Sequence, residues 1–296
     1  MPARPRLAVF KFASCDGCQL TLLNAEDELL GLSERCDIVH FAEASSRLEP
    51  GPYDIGLVEG SITTPADAAR IRQVRAQCRV LVTLGACATA GGIQALRNLG
   101  QHADWLRQVY AQPEYLEVLE TATPIAQHVR VDFELRGCPV DRDQLVEVLL
   151  SLLAGRTPKT PAHTVCLDCK RNGTVCVMVS RGIPCLGPIT KSGCGAICPA
   201  FDRGCYGCHG PVIQANSSGL LPILRTYASD RVLLDQLLNV NPLAPEFERA
   251  AAQLRTPGQP PSASISTTAC ATTTCSTTPV VGDQPGRASG AGGPHG

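Results

Sequence analysis

Arg79-Val80-Leu81-Val82-Thr83-Leu84-Gly85-Ala86-Cys87 sets the architecture. Its first six residues make a short strand, closed by a glycine, and a cysteine follows just beyond. On either side of it, Leu7-Ala8-Val9-Phe10, Asp37-Ile38-Val39-His40-Phe41 and Asp54-Ile55-Gly56-Leu57-Val58 read as further strands, as does the run from Val129 to Leu135. Helices are expected between them. Thr64 precedes Pro65, and Ile71, Val74 and Cys78 recur at helical spacing, which gives an N-cap, a first-turn proline and an amphipathic helix. After Cys138-Pro139, Asp141 and Gln144 form a capping-box variant. Leu145, Val148, Leu149 and Leu152 then share one face, and Gly155 ends that helix. Strands alternating with helices predict an α/β fold, a parallel sheet with helices on both faces.

Composition narrows the function. The 296 residues are 44% hydrophobic and 18% charged, the balance of a soluble globular protein with a sizeable core. A net charge of −1 gives no basic field for nucleic acid, and 4% aromatics offer little base stacking. No stretch reaches the roughly 18 apolar residues of a membrane span. The two arginines near the start are followed by neither a long apolar run nor a small-residue cleavage site, so the sequence predicts a cytoplasmic protein. The outlier is cysteine, 16 of 296. In this setting that density points to metal or redox chemistry rather than to disulfides.

The cysteines fall into three regions. Cys15, Cys18, Cys36, Cys78, Cys87 and Cys138 are sparse, eight crowd between residues 166 and 208, and Cys270 and Cys275 lie near the end. Residues 160–212 show no sustained period of either kind, and such a segment is expected to need metal centres to organise it. Residues 213–255 return to helical patterning, as in Val232, Leu233, Leu237 and Leu238. From Thr256 the chain is Ser, Thr, Pro, Gly and Ala, read as a disordered tail in which Cys270 and Cys275 are free thiols.

Cys15 and Cys18, Cys87, and Cys138 each sit at a turn from strand to helix. In a parallel sheet such turns gather at the carboxyl ends of the strands, so these four thiols are expected to meet. Four thiolates hold a cubane iron–sulfur cluster, with helix N-termini stabilising its negative charge. Structural zinc is the competing occupant, and Cys15-x-x-Cys18 alone also fits a redox pair. Cys36 and Cys78 are read as small apolar core residues. The later eight run Cys166-x₂-Cys169-x₆-Cys176-x₈-Cys185 and Cys194-x₃-Cys198-x₆-Cys205-x₂-Cys208. Eight splits into two groups of four, for two further clusters or two zinc ribbons. Gly187, Gly193, Gly195 and Gly207 let the backbone fold tightly there and offer N–H groups to sulfur.

These residues carry a family resemblance. Cys15-x-x-Cys18, Val58-Glu59-Gly60-Ser61, Gly85-Ala86-Cys87-Ala88-Thr89-Ala90-Gly91-Gly92, Arg136-Gly137-Cys138-Pro139 and Cys205-Tyr206-Gly207-Cys208 resemble the small subunit of nickel–iron hydrogenases. The match runs in order over residues 6–212 and is similar to the cytoplasmic, multi-subunit branch that exchanges electrons with NAD(P), F420 or similar carriers. The resemblance implies a flavodoxin-like domain in which Cys15, Cys18, Cys87 and Cys138 hold a proximal [4Fe–4S] cluster facing a separate large subunit. Chain order and the family pattern assign Cys194, Cys198, Cys205 and Cys208 to a medial [4Fe–4S] cluster. They assign Cys166, Cys169, Cys176 and Cys185 to a distal one.

Relatives of the respiratory branch use a His at the distal cluster and three cysteines at the medial one. Here Cys166 stands where that His would be and Cys198 supplies a fourth medial thiolate, which implies low potentials. Gly17 stands where oxygen-tolerant relatives carry an extra Cys, so an ordinary proximal cubane is expected. The twin-arginine signal of the exported relatives is missing, which again predicts cytoplasmic residence.

Glu59 has two readings. It is an interface or proton-path acid near the proximal cluster, or, the favoured reading, a hydrogen-bonding acid that orders the strand-end loop. Asp16 is read as opening a helix and His40 as structural. The expected division is 1–157, the flavodoxin-like domain with the proximal cluster; 158–255, a small irregular iron–sulfur domain with the medial and distal clusters plus helices; and 256–296, the disordered tail. The whole predicts an electron-transfer subunit without a complete active site, working with a [NiFe] large subunit and with flavin and iron–sulfur acceptor subunits. A quinone-oxidoreductase-type relay subunit and a zinc-stabilised scaffold are the rivals. The spacer Asp16-Gly17 and the eight-cysteine segment count against the quinone type.

Overall fold

The computed structural model describes residues 4–255. The predicted tail, with Cys270 and Cys275, lies outside the described residues. Five strands form one sheet: β1 (Arg6–Lys11), β2 (Asp37–Phe41), β3 (Tyr53–Glu59), β4 (Cys78–Leu84) and β5 (Phe133–Leu135). Their order is β2-β1-β3-β4-β5 and every pairing is parallel. This is the doubly wound, flavodoxin-like order. The chain passes from β1 to β2 on one side and then crosses to β3 on the other. The switch point therefore lies between β1 and β3, and the crevice at their carboxyl ends is where such sheets bind ligands.

Helices cover both faces. The first two, α1 (Gly17–Leu23) and α2 (Glu26–Ser33), follow β1 directly, whereas α3 (Pro65–Gln77) and α4 (Gly85–Ala90) flank β4. An excursion carrying α5 (His102–Val109) leads to β5, and α6 (Arg142–Leu153) follows. One core packs Leu22, Leu32, Leu145, Val148 and Leu149 against Leu7, Val9, Leu57 and Leu84. The other packs Ile71, Val74 and Ala88 against Ala8, Phe10, Val58 and Leu81. The expected caps are present. The Thr64 hydroxyl accepts the Asp67 N–H at 3.0 Å, and Asp141 accepts the Gln144 N–H at 2.9 Å. Gly155, at φ +68°, closes α6 in a Schellman arrangement, with Gly155 N–H to Leu152 and Arg156 N–H to Ser151.

The last strand is shorter than the predicted run from Val129. A 3₁₀ turn at Ile125–Gln127 takes up the Val129 N–H, and pairing with β4 begins only where Asp132 and Leu81 exchange bonds. Residues 160–212 hold α7 (Val165–Arg171), α8 (Val177–Arg181) and α9 (Ile197–Ala200). The segment expected to need metal centres also takes part in an apolar core. Its Val165, Val177, Leu186 and Ile189 enter an apolar core with Leu220, Leu224, Leu233, Leu237 and Phe247. Those partners come from α10 (Ser217–Leu224), α11 (Asp230–Leu238) and α12 (Pro245–Ala252). The segment is too irregular to close a core of its own, so three later helices complete it.

Candidate metal centre at the sheet edge and along the cysteine-rich segment

Cys15 and Cys18 flank the start of α1, Cys87 lies in the first turn of α4, and Cys138 follows β5. The four converge at the carboxyl edge of the sheet. Burial pushes the Cys87 thiol up to about 12, and Cys138 and Cys15 push the same way. Burial also raises Cys18, which faces Glu59, Cys87 and Cys138. Cys138, exposed as a residue, has its thiol raised by burial and then by Cys15 and Glu59.

The surrounding backbone leaves no room for side chains. A Cβ on Gly85, at φ +82°, would lie 2.4 Å from Cys18 Sγ. One on Gly92, at φ +60°, would lie 2.5 Å from Cys87 Sγ. Close-set thiols that burial and mutual repulsion hold protonated become ligands when a metal's positive charge offsets both effects. The donor set and the glycine cradle therefore fit a thiolate-bound cluster.

Glu59 ends β3 beside this group and is 2% exposed. Its Oε1 accepts the Cys18 N–H at 3.0 Å and its Oε2 accepts the Gln19 N–H at 3.1 Å. These are N-terminal donors of α1, and the residue in the capping position, Asp16 at φ +65°, makes no side-chain cap. The Asp16 carboxylate instead faces Lys11 Nζ at 2.6 Å and the Ser14 hydroxyl at 3.0 Å. The reading of Asp16 as the helix-opening residue is thus right in position, while the capping falls to Glu59. Burial pushes the Glu59 carboxyl up, and the two N–H bonds pull it back.

The later thiols face one another along the segment, and Cys185 faces both Cys176 and Cys198. Burial pushes Cys166 up to about 11, and Cys185, Cys169 and Cys176 add to it. Cys169 likewise faces Cys185 and Cys176. Burial pushes Cys208 up to about 11, with further repulsion from Cys138, Cys198 and Cys194. Cys205, raised to about 12 by burial, faces Cys185 and Cys194. Cys208 therefore lies beside the sheet-edge group, and Cys205 lies beside the Cys166 group. Backbone N–H groups reach the sulfurs: Cys205 and Gly187 donate to Cys185 Sγ at 3.1 and 3.4 Å, and Gly207 donates to Cys205 Sγ at 3.4 Å. Such bonds stabilise thiolate charge and tune a cluster's potential. Among the described residues, no three or more His, Cys, Asp or Glu side chains stand close enough to hold a single metal ion.

Sequence reasoning missed Asp168, between Cys166 and Cys169. It accepts the Ser192 hydroxyl and pairs with His163 Nε2 at 2.9 Å, tying α7 to the chain ahead of Cys194. No local pattern announces it, because Ser192 is 24 residues away. Cys36 and Cys78 are buried in the sheet cores as expected. His40 lies tilted against the Phe10 ring at 4.6 Å and meets the Tyr53 ring edge-on at 6.2 Å.

The family described as NADH ubiquinone oxidoreductase, 20 Kd subunit, matches residues 15–152, the span of the sheet-edge group. The match ends before the eight later cysteines. The chain is 36% identical over 232 residues to the sulfhydrogenase 2 subunit delta of Pyrococcus furiosus, covering 78% of this chain and 97% of that protein. It is 25% identical over 298 residues to the iron–sulfur subunit of the F420-non-reducing hydrogenase of Archaeoglobus profundus, covering 80% and 92%. The actinobacterial-type NiFe-hydrogenase from Ralstonia eutropha H16 shares the fold, with a TM-score of 0.51 at 18% identity over 70% of this chain and 79% of that one. With the sheet-edge thiols and the cysteine-rich segment in place, these likenesses put the chain in the family of small, delta-type subunits of multi-subunit nickel–iron hydrogenases.

Proposed function

We propose that this chain relays electrons between the nickel–iron site of a partner large subunit and a soluble carrier of the NAD(P), F420 or ferredoxin kind. In this reading three [4Fe–4S] clusters supply one-electron redox chemistry. Cys15, Cys18, Cys87 and Cys138 would hold the proximal one. Cys194, Cys198, Cys205 and Cys208 would hold the medial one, and Cys166, Cys169, Cys176 and Cys185 the distal one.

The observation that carries the reading is the continuity of thiols outward from the sheet edge, with Cys208 facing Cys138 and the Cys205 N–H donating to Cys185 Sγ at 3.1 Å. The chain's own residues bind, orient and insulate. Glu59 holds the first Cys-x-x-Cys motif to the end of β3. Gly85 and Gly92 let backbone close on the sulfurs. The N–H groups of Gly187, Cys205 and Gly207 stabilise thiolate charge. Twelve thiolates with no imidazole keep the potentials low, which suits exchange with a strongly reducing carrier.

Hydrogen chemistry belongs to the assembly, and flavin and iron–sulfur subunits would complete a path to a nucleotide carrier. Among the described residues, no helix is long and apolar enough to cross a membrane. We assign the complex to the cytoplasm because a reducing compartment keeps these thiols free to bind iron. Anaerobically purified full-length chain should carry about twelve iron atoms and about twelve acid-labile sulfides, four for each cubane. A colourless protein holding zinc instead would overturn the reading.

A further inference from the structure

Asp168 stands in the first turn of α7, between Cys166 and Cys169. Its side chain is 12% exposed, a placing that carboxylates take when they are paired. Two groups hold it there. Its Oδ1 pairs with His163 Nε2 at 2.9 Å, and its Oδ2 accepts the Ser192 hydroxyl. The backbone braces both partners. The Ser192 N–H donates to the His163 carbonyl at 2.9 Å, and the Val165 N–H donates to the Thr190 carbonyl at 3.0 Å. Between these bonds, Thr164 and Lys191 form an antiparallel bridge. The carboxylate is therefore fixed in place beside the thiols and does not swing out to water.

Bracing alone does not call for an acid at this position. An Asn side chain offers an acceptor and a donor to the same two partners, and a half-buried amide costs less to desolvate than a charge. What the carboxylate adds is a fixed negative charge. Burial raises the Cys169 thiol first, and then Cys185, Cys176 and Asp168 push the same way. Lys170 acts in the opposite direction on Cys166, but it is exposed, where water and salt screen it. The next thiols inward meet the other sign. Burial and Cys194 raise Cys198, whereas Arg203 lowers it.

We propose that Asp168 is a positioning residue whose fixed charge lowers the electron affinity of the cluster held by the Cys166 group. The proposal rests on the relay reading above and deepens it. In the step concerned, one electron leaves the inner neighbour and arrives on the outer cluster. The neighbour is oxidised and the outer cluster reduced by one electron, and Asp168 gains and loses nothing. An anion close by makes the added electron less stable, and the effect is largest where water is scarce. The electron then leaves the outer cluster at a low potential, which suits a strongly reducing carrier.

The test is a redox titration of the anaerobically purified full-length chain, followed by electron paramagnetic resonance. It is run at about pH 9, where imidazole is neutral and leaves the carboxylate charge uncompensated. Asp168→Asn keeps the shape and the hydrogen-bonding groups and removes the charge. Its iron should stay at the native count while one of the three reduction steps moves upward. At the potential that half-reduces that centre in the native chain, the ratio of reduced to oxidised should rise at least about threefold, equivalent to about 28 mV for one electron. Ser192→Ala cuts one brace and keeps the charge, so no step should move upward. Asp168→Glu keeps the charge and should titrate as the native chain does. The proposal is overturned if no step moves in Asp168→Asn, if Ser192→Ala raises the same step as far, or if Asp168→Glu rises as Asp168→Asn does. Loss of about four iron atoms from Asp168→Asn would show a brace and nothing more, and would overturn it as well. Fewer than three reducible centres in the native chain would instead defeat the relay reading, whatever the variants do.

Discussion

Glu59 and Cys18 are joined by a 3.0 Å hydrogen bond from the Cys18 backbone N–H to the Glu59 carboxylate, although 41 residues separate them. The bond fastens the start of α1 to the end of β3, the two elements that border the switch point of the sheet. One carboxylate thereby serves both as the missing helix cap and as the anchor of the first Cys-x-x-Cys motif.

Replacing Glu59 tests that dual service. Glu59→Ala leaves the buried Cys18 and Gln19 N–H groups without an acceptor, which costs about 2 kcal/mol. Glu59→Gln keeps one acceptor and should lose less. Denaturant midpoints should rank native, Gln, Ala, and iron content should fall in the same order. An Ala variant with the native midpoint would show that the cap holds nothing.

The glycine cradle makes a separate prediction. Gly85→Ala combines a left-handed backbone with a Cβ 2.4 Å from Cys18 Sγ, so it should both destabilise the fold and displace the thiol. Gly195 has a similar φ of +63° but nothing within 4 Å of its Cβ, so Gly195→Ala should cost only the backbone strain of about 1–2 kcal/mol. Loss of iron in the first variant and retention in the second is the expected contrast. Equal iron in both would remove the steric argument.

Cys138→Ser should lower iron from about twelve to about eight atoms per chain and abolish hydrogen-dependent dye reduction in the complex. Cys36→Ser, in the sheet core and apart from the three groups, should keep all the iron. Unchanged iron in the Cys138 variant would strike that residue from the ligand set.

Asp132 supplies the pH dependence. Burial alone would raise its carboxyl, but the Leu81 N–H at 2.8 Å and Arg75 at 2.5 Å hold it below its ordinary value of 3.8. A depressed folded value means that the unfolded chain binds the proton more readily. The stabilisation is therefore complete above the ordinary value and fades as pH falls through the depressed one. Asp132→Asn should lower stability by about 1–2 kcal/mol at neutral pH and flatten the acid limb below about pH 4. Parallel stability curves for the two proteins would contradict this assignment.

Much of the fold was legible because its signals are local. The strand from Arg79 to Leu84, the Thr64 and Asp141 caps and the Gly155 stop each depend on neighbours within a few residues, and the structure shows all of them. The placing of cysteines at strand-to-helix turns was legible for the same reason. The rest required the chain to come back on itself. Asp16 occupied the capping position, yet its carboxylate went to Lys11 and the cap came from another strand. The start of β5 depended on the Asp132–Leu81 exchange, which hydropathy along one strand cannot show. The core under the cysteine-rich segment depended on helices that begin at Ser217.

The order of residues along the chain dictates which elements form and which thiols stand at their ends, because helical and strand periods and caps act between near neighbours. The facing of Cys208 to Cys138 and the hold of Glu59 on Cys18 came only with folding. Those meetings follow from strand order and from packing between residues tens of positions apart, which no local pattern encodes.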